Sequence, residues 1–186
     1  DKDAWSYPSG ASAFSFDPYT GDMGLRAPGG VSAHAIDRTF VPENQNGRYA
    51  FGAWVRTEAG FSTGRLVLYT TDGSSSATGI FPPSTSTAIT SVSFGDTQGD
   101  WQYVEGTIDL AAIRAASGIA TTQLLNIYVY LNNDDGTKYF VADDVRFFPL
   151  HGAMQHFTYK PGVGLTSETD GTNWTTHFEY DKLNRL

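Results

Sequence analysis

Five side chains combine flat rings with hydrogen-bonding heads at strand spacing: Trp54 and Arg56 within Arg48–Thr57, and Asn126, Tyr128 and Tyr130 within Leu124–Leu131. Successive residues of a strand point to opposite faces. In the first segment Tyr49, Phe51, Ala53 and Val55 form the apolar row, leaving Trp54 and Arg56 on the other. In the second, Leu125, Ile127, Val129 and Leu131 are the apolar row, and Asn126, Tyr128 and Tyr130 face away from it. A sugar ring has an apolar CH face and a hydroxyl rim, so its binder needs aromatic platforms beside amide, guanidinium or carboxylate groups. The five residues meet that need if their strands share one sheet. The same rings also suit cross-strand packing, or burial under loops or the C-terminal segment. Exposure of Trp54, Tyr128 and Tyr130 separates the two readings.

Asp143-Asp144 interrupts the apolar strand Lys138–Phe148. Alternation groups Asp143 with Val141, Val145 and Phe147 and so places it inward. A carboxylate there is costly unless it meets an arginine, backbone amides or a cation. The run Asn132-Asn133-Asp134-Asp135-Gly136 follows the Leu124–Leu131 strand. Asp-Gly suits a tight turn with positive φ, which predicts that the flanking strands are hairpin neighbours. Clustered carboxylates also suit a calcium ion, but no closing Glu completes such a loop. Trp101 is expected to be a core or edge plug, Trp5, Tyr7 and Tyr19 to lie in loops that could line a loop-end site, and Trp174 to pack within the C-terminal segment.

Catalytic constellations are missing. A glycosidase needs two facing carboxylates ~5–9.5 Å apart, and the five glutamates (43, 58, 105, 168 and 179) offer no such pair at strand spacing. The four histidines (34, 151, 156 and 177) lack metal-ligand spacing and read as solvated, and no G-x-S-x-G elbow occurs. The expectation is a non-catalytic domain.

The elements that must carry these residues are strands. Alternating segments rich in β-branched and aromatic residues recur at Ser12–Phe16, Ala33–Val41, Arg48–Thr57, Arg65–Thr70, Ala88–Phe94, Trp101–Leu110, Leu124–Leu131 and Lys138–Phe148. Only Ala111–Ser117, after Asp109, reads as a helical turn or two. Strands without intervening helices predict an all-β chain, an antiparallel β-sandwich of jelly-roll type. The 186 residues allow one domain with a short appendage. The net charge of −8, without a basic patch, argues against nucleic acid, and no apolar run is long enough for membrane insertion. Cysteine is absent, which excludes disulfides and thiolate metal sites. Without an initiator Met or signal peptide at Asp1, the chain reads as a piece of a longer one. Beyond Pro149, Phe157-Thr-Tyr159 and Phe178-Glu-Tyr180 recur 21 residues apart, as do Leu165 and Leu186, the signature of a repeat array.

Two resemblances extend this reading. Gly47-Arg-Tyr49-Ala-Phe-Gly-Ala53-Trp54-Val55-Arg56, Gly99-Asp-Trp101-Gln-Tyr-Val104-Glu-Gly-Thr and Tyr139-Phe-Val-Ala-Asp143-Asp144-Val145-Arg-Phe, in that order, resemble jelly-roll carbohydrate-binding modules of the galactose-binding-like kind. The resemblance implies a glycan or polysaccharide partner and a structural calcium ion held in part by Asp143. The tail, from Tyr159 through Leu165-Thr-Ser-Glu-Thr-Asp170, Thr175-Thr176 and Phe178-Glu-Tyr180-Asp181 to Arg185-Leu186, resembles the Rhs or YD-repeat family. It departs at Lys160, Gly164 and Asn184, where Asp, Arg and Gly are usual. That resemblance implies a secreted or cell-surface bacterial protein, either toxin or adhesin, whose remaining repeats form a shell that this tail joins. The expected layout is a sandwich over 1–149, a connector over 150–156 and partial repeats over 157–186. Its role is glycan binding or adhesion, or a ligand-free spacer or cap before the shell.

Overall fold

A computed structural model describes residues 12–14, 19, 24–40, 47–71, 87–152, 155–160, 162–170 and 174–181. The strands are β1 (Ser12–Phe14), β2 (Gly24–Ala27), β3 (Ser32–Phe40), β4 (Arg48–Thr57), β5 (Gly64–Thr71), β6 (Thr87–Phe94), β7 (Gln102–Asp109), β8 (Leu125–Asn133), β9 (Phe140–Pro149), β10 (His156–Lys160), β11 (Gly164–Thr169) and β12 (Thr175–His177). One helix, α1 (Leu110–Ser117), lies between β7 and β8. Asp109 starts it by accepting the Ala111 and Ala112 amides, and Gly118, in the left-handed conformation, ends it.

Among the described residues the strands form three antiparallel sheets: β1-β2-β9-β4-β7, β3-β8-β5-β6 and β10-β11-β12. The first two face each other across the core. Leu25, Phe51, Val55, Val104, Ile108 and Phe140 come from one, and Phe40, Leu66, Leu68, Phe94, Ile127, Val129 and Leu131 from the other. Aromatic pairs join the layers: Phe94 meets Phe140 edge-on at 5.2 Å, and Phe40 meets Tyr49 at 5.1 Å. Each such pair contributes about 0.5–1.5 kcal/mol beyond the burial of its area. The chain is an antiparallel β-sandwich, as its alternation predicts.

The hairpin expected at Asn132–Gly136 is not formed. β8 lies between β3 and β5, whereas β9 lies between β2 and β4 in the opposite sheet, so this loop crosses from one layer to the other. Neither Asp135 nor Gly136 has a positive φ. Buried side chains hold the loop instead. Asn133 Nδ2 donates to the carbonyls of Ala27 (2.8 Å) and Lys138 (2.9 Å). The Asp135 carboxylate accepts the amides of Ser62, Thr137 and Lys138 and the hydroxyls of Ser62 and Thr137, all within 3.1 Å. These amides keep the Asp135 carboxyl well below the usual carboxylate range.

β9 ends at Pro149 and β10 begins at His156. In the third sheet Trp174 is 73% exposed rather than packed, and Tyr159 is 67% exposed. Tyr180, the partner of Tyr159 in the 21-residue recurrence, donates its hydroxyl to the Leu165 carbonyl at 3.0 Å.

Candidate functional site

The outer face of the five-stranded sheet is built by register. Across β7, β4 and β9, Tyr103, Trp54 and Asp143 stand side by side, and the next row is Glu105, Gly52 and Arg146. On the other side of Trp54, Arg56 pairs with Val141, which pairs in turn with Arg26 of β2. Each row is perpendicular to the strands and shares one face.

Asp143 belongs to this outer face, contrary to the inward position that alternation gives it. A bulge is the reason: Gly52 pairs with Arg146 and Trp54 with Asp143, so Ala53 opposes two residues of β9. Asp144 absorbs the extra residue at φ 49°. Strand parity reverses there, leaving Phe140, Ala142, Val145 and Phe147 toward the core and Val141, Asp143 and Arg146 outside. The bulge also lets Arg146 reach back to Asp144, forming an ion pair whose two side chains are 2% and 4% exposed. Asp143 Oδ1 accepts the Asp144 amide at 2.7 Å. Asp144 therefore has an arginine for its counter-charge. Among the described residues no three acidic, His or Cys side chains converge.

Aromatic rings cover the middle of this face. Tyr19 stacks on Trp54 with centroids 3.9 Å apart and meets Trp101 edge-on at 5.7 Å. Tyr103 tilts against Trp54 at 5.4 Å. Gly52 makes room for Tyr103: a Cβ there would lie 2.7 Å from the phenol Cζ and 2.9 Å from the Val104 carbonyl oxygen. The Tyr103 hydroxyl donates to Glu105 at 3.2 Å. Burial and the Glu105 charge raise its pKa far above the ordinary phenol value, so it remains a neutral donor. Arg56 lies over the Trp101 ring at 4.9 Å and Arg26 over Tyr139 at 4.1 Å. Tyr19, Trp54, Trp101 and Tyr103 are all half-buried. The Trp54 indole N–H is buried and has no acceptor among the described residues.

The structure thus separates the five residues that the sequence groups. Trp54 and Arg56 lie on β4 of one sheet, and Asn126, Tyr128 and Tyr130 on β8 of the other. Tyr128 is 2% and Tyr130 0% exposed. His34, itself buried rather than solvated, stacks on Tyr130 at 5.0 Å, and Tyr69 meets Tyr130 edge-on at 5.5 Å. Asn126 accepts the Thr39 hydroxyl at 2.8 Å. These rings are packing residues and offer no open platform. Trp101 precedes the edge strand β7 and stands on the outer face with Trp54, at the edge and not in the core. Trp5 and Tyr7 lie outside the described residues. Arg26 and Tyr103 escape the sequence reading, although Tyr103 shares the alternation row of Trp101.

No family model and no curated protein matches the chain. Solved structures do. One is a family 16 carbohydrate-binding module, 18% identical, with 77% of this chain and 89% of that one aligned at a TM-score of 0.50. Another is the family 30 carbohydrate-binding module of a cellulosomal cellulase of Clostridium thermocellum, 11% identical, covering 80% and 88%, also at 0.50. What the chain shares with them is the fold.

Proposed function

We propose that this chain is a non-catalytic carbohydrate-binding module whose ligand lies on the outer face of the five-stranded sheet. One observation carries the reading: Tyr19, Trp54, Trp101 and Tyr103 cluster half-buried on that face, beside charged groups and an indole N–H that lacks an acceptor among the described residues. Rings of this kind stack on sugar CH faces, while the neighbouring Arg56 and Arg26 supply the directional bonds. The names of the structural neighbours support it. The site is rearranged from the sequence expectation: Trp54 and Arg56 remain, Tyr103 and Tyr19 join them, and Tyr128 and Tyr130 leave.

A glycan array with the full chain, followed by titration calorimetry, tests the proposal. Trp54→Ala is expected to weaken binding about 30-fold, the ~2 kcal/mol of a central aromatic anchor, with the urea midpoint measured alongside. Unchanged affinity in the variant, or no glycan bound by the parent chain, overturns it. The second outcome favours a ligand-free spacer.

The tail is read as the opening of a YD-repeat array in a secreted or surface protein. The bond from Tyr180 to Leu165 supports this, because it joins the second unit of the recurrence to the first. Among the described residues no helix is long and apolar enough to cross a membrane.

A further inference from the structure

Resting on the glycan reading above, we infer that the Arg26–Val141–Arg56 row selects a carboxylate-bearing glycan, a polymer containing uronic acids, over neutral ones. The row joins β2, β9 and β4, with Arg26 and Arg56 both opposite Val141. Their Cα atoms are therefore two strand spacings apart, about 10 Å. Both guanidinium groups lie over aromatic rings, Arg26 on Tyr139 and Arg56 on Trp101. A ring beneath a guanidinium covers its apolar plane and leaves the N–H edges pointing sideways, where they match the two oxygens of a carboxylate. Arg65 shows this fork elsewhere in the chain, holding Asp134 through Nε and Nη2 at 2.6 and 2.8 Å. Arg26 has no ion pair among the described residues.

The acids around the row have their own donors. Glu58 faces the Tyr139 amide at 3.4 Å, Asp143 accepts the Asp144 amide, Asp144 holds Arg146, and Glu105 accepts Tyr103. Val141, between the two arginines, is buried and brings no side-chain donor to the row. Sugar rings stacked on the Trp54–Trp101 cluster would bring acidic groups at their edge onto Arg56 first and onto Arg26 one strand spacing beyond Val141.

The test compares polygalacturonate, alginate and glucuronan, each beside its own methyl ester, by affinity electrophoresis and calorimetry on the full chain. At least one acid form is expected to bind ten-fold or more tightly than its ester. Arg26→Gln and Arg56→Gln should each reduce that ratio at least three-fold, with unchanged urea midpoints. Equal binding of acid and ester leaves the glycan reading standing and sinks this one. So does a preference for acid that survives both substitutions. No binding to these or to any neutral glycan removes both readings.

Discussion

The two outer faces of the sandwich carry similar residues and are built for different ends. Over the four-stranded sheet, His34, Tyr69, Tyr128 and Tyr130 pack against one another, and Tyr128 and Tyr130 have lost essentially all contact with water. Over the five-stranded sheet, Tyr19, Trp54, Trp101 and Tyr103 also touch one another but stay half-open, with arginines lying across two of the neighbouring rings. Residue type does not distinguish a packed aromatic layer from a binding platform. What does is how much of each ring remains uncovered.

That contrast predicts opposite consequences for two truncations. Tyr130→Ala should leave a large cavity and cost about 3–5 kcal/mol of unfolding free energy, as truncation of a buried ring does. At a temperature where the variant is folded, its glycan affinity should match the parent. Trp54→Ala should do the reverse, losing affinity and a smaller share of stability. Urea titration and calorimetry on both proteins read the exchange, and a Tyr130 variant that is stable but non-binding would erase the distinction between the faces.

Much of this was legible in the residues, and the failures have specific causes. The alternation of β4 and β8 marks Phe51, Val55, Ile127 and Val129 as core, and they are buried. The Asp109 cap and Gly118 bound the helix. Asp143 was misplaced because period-2 parity holds only while pairing is unbroken, and nothing in Ala-Asp-Asp-Val announces the bulge at Asp144. The Asn132–Gly136 segment has hairpin chemistry, but its outcome is decided by Ser62, some 70 residues away, whose amide binds Asp135. Tyr128 and Tyr130 alternate outward as expected, yet coverage of a face depends on residues distant in sequence. Arg26 sits on a four-residue strand, too short to show periodicity.

The bulge supplies the next test, since it equips the open face with a buried ion pair. Asp144→Asn retains the shape and tolerates the positive φ, but removes the Asp144 charge from the pair with Arg146. Removing one partner from a buried pair costs about 3–5 kcal/mol. The expected value is near the lower end, about 3 kcal/mol, because the Asn carbonyl still accepts a hydrogen bond. A loss below ~1 kcal/mol by urea unfolding would show that Arg146 is held by other groups.

The smallest effect concerns the crossing that assigns β8 and β9 to different sheets and so keeps the two faces apart. The Asp135 carboxyl is held far below its usual range, first by the Ser62 amide and then by those of Lys138 and Thr137. A carboxyl depressed in the folded state contributes stability above the unfolded pKa of about 3.9. That contribution drains as pH falls below it toward the folded value, because the unfolded chain binds the extra proton first. Stability should therefore decline with acid from about pH 5 downward, and Asp135→Asn should make the decline shallower. It should not abolish it, since the Gln98 and Gly60 amides depress Asp96 in the same direction. The comparison is of slopes, with each protein referred to its own stability at pH 7, so any neutral-pH cost of the substitution cancels. Equal slopes would mean that Asp135 is no tighter an anchor in the folded chain than in the unfolded one, and the separation of the two sheets would have to rest on Asn133 and its bonds to Ala27 and Lys138.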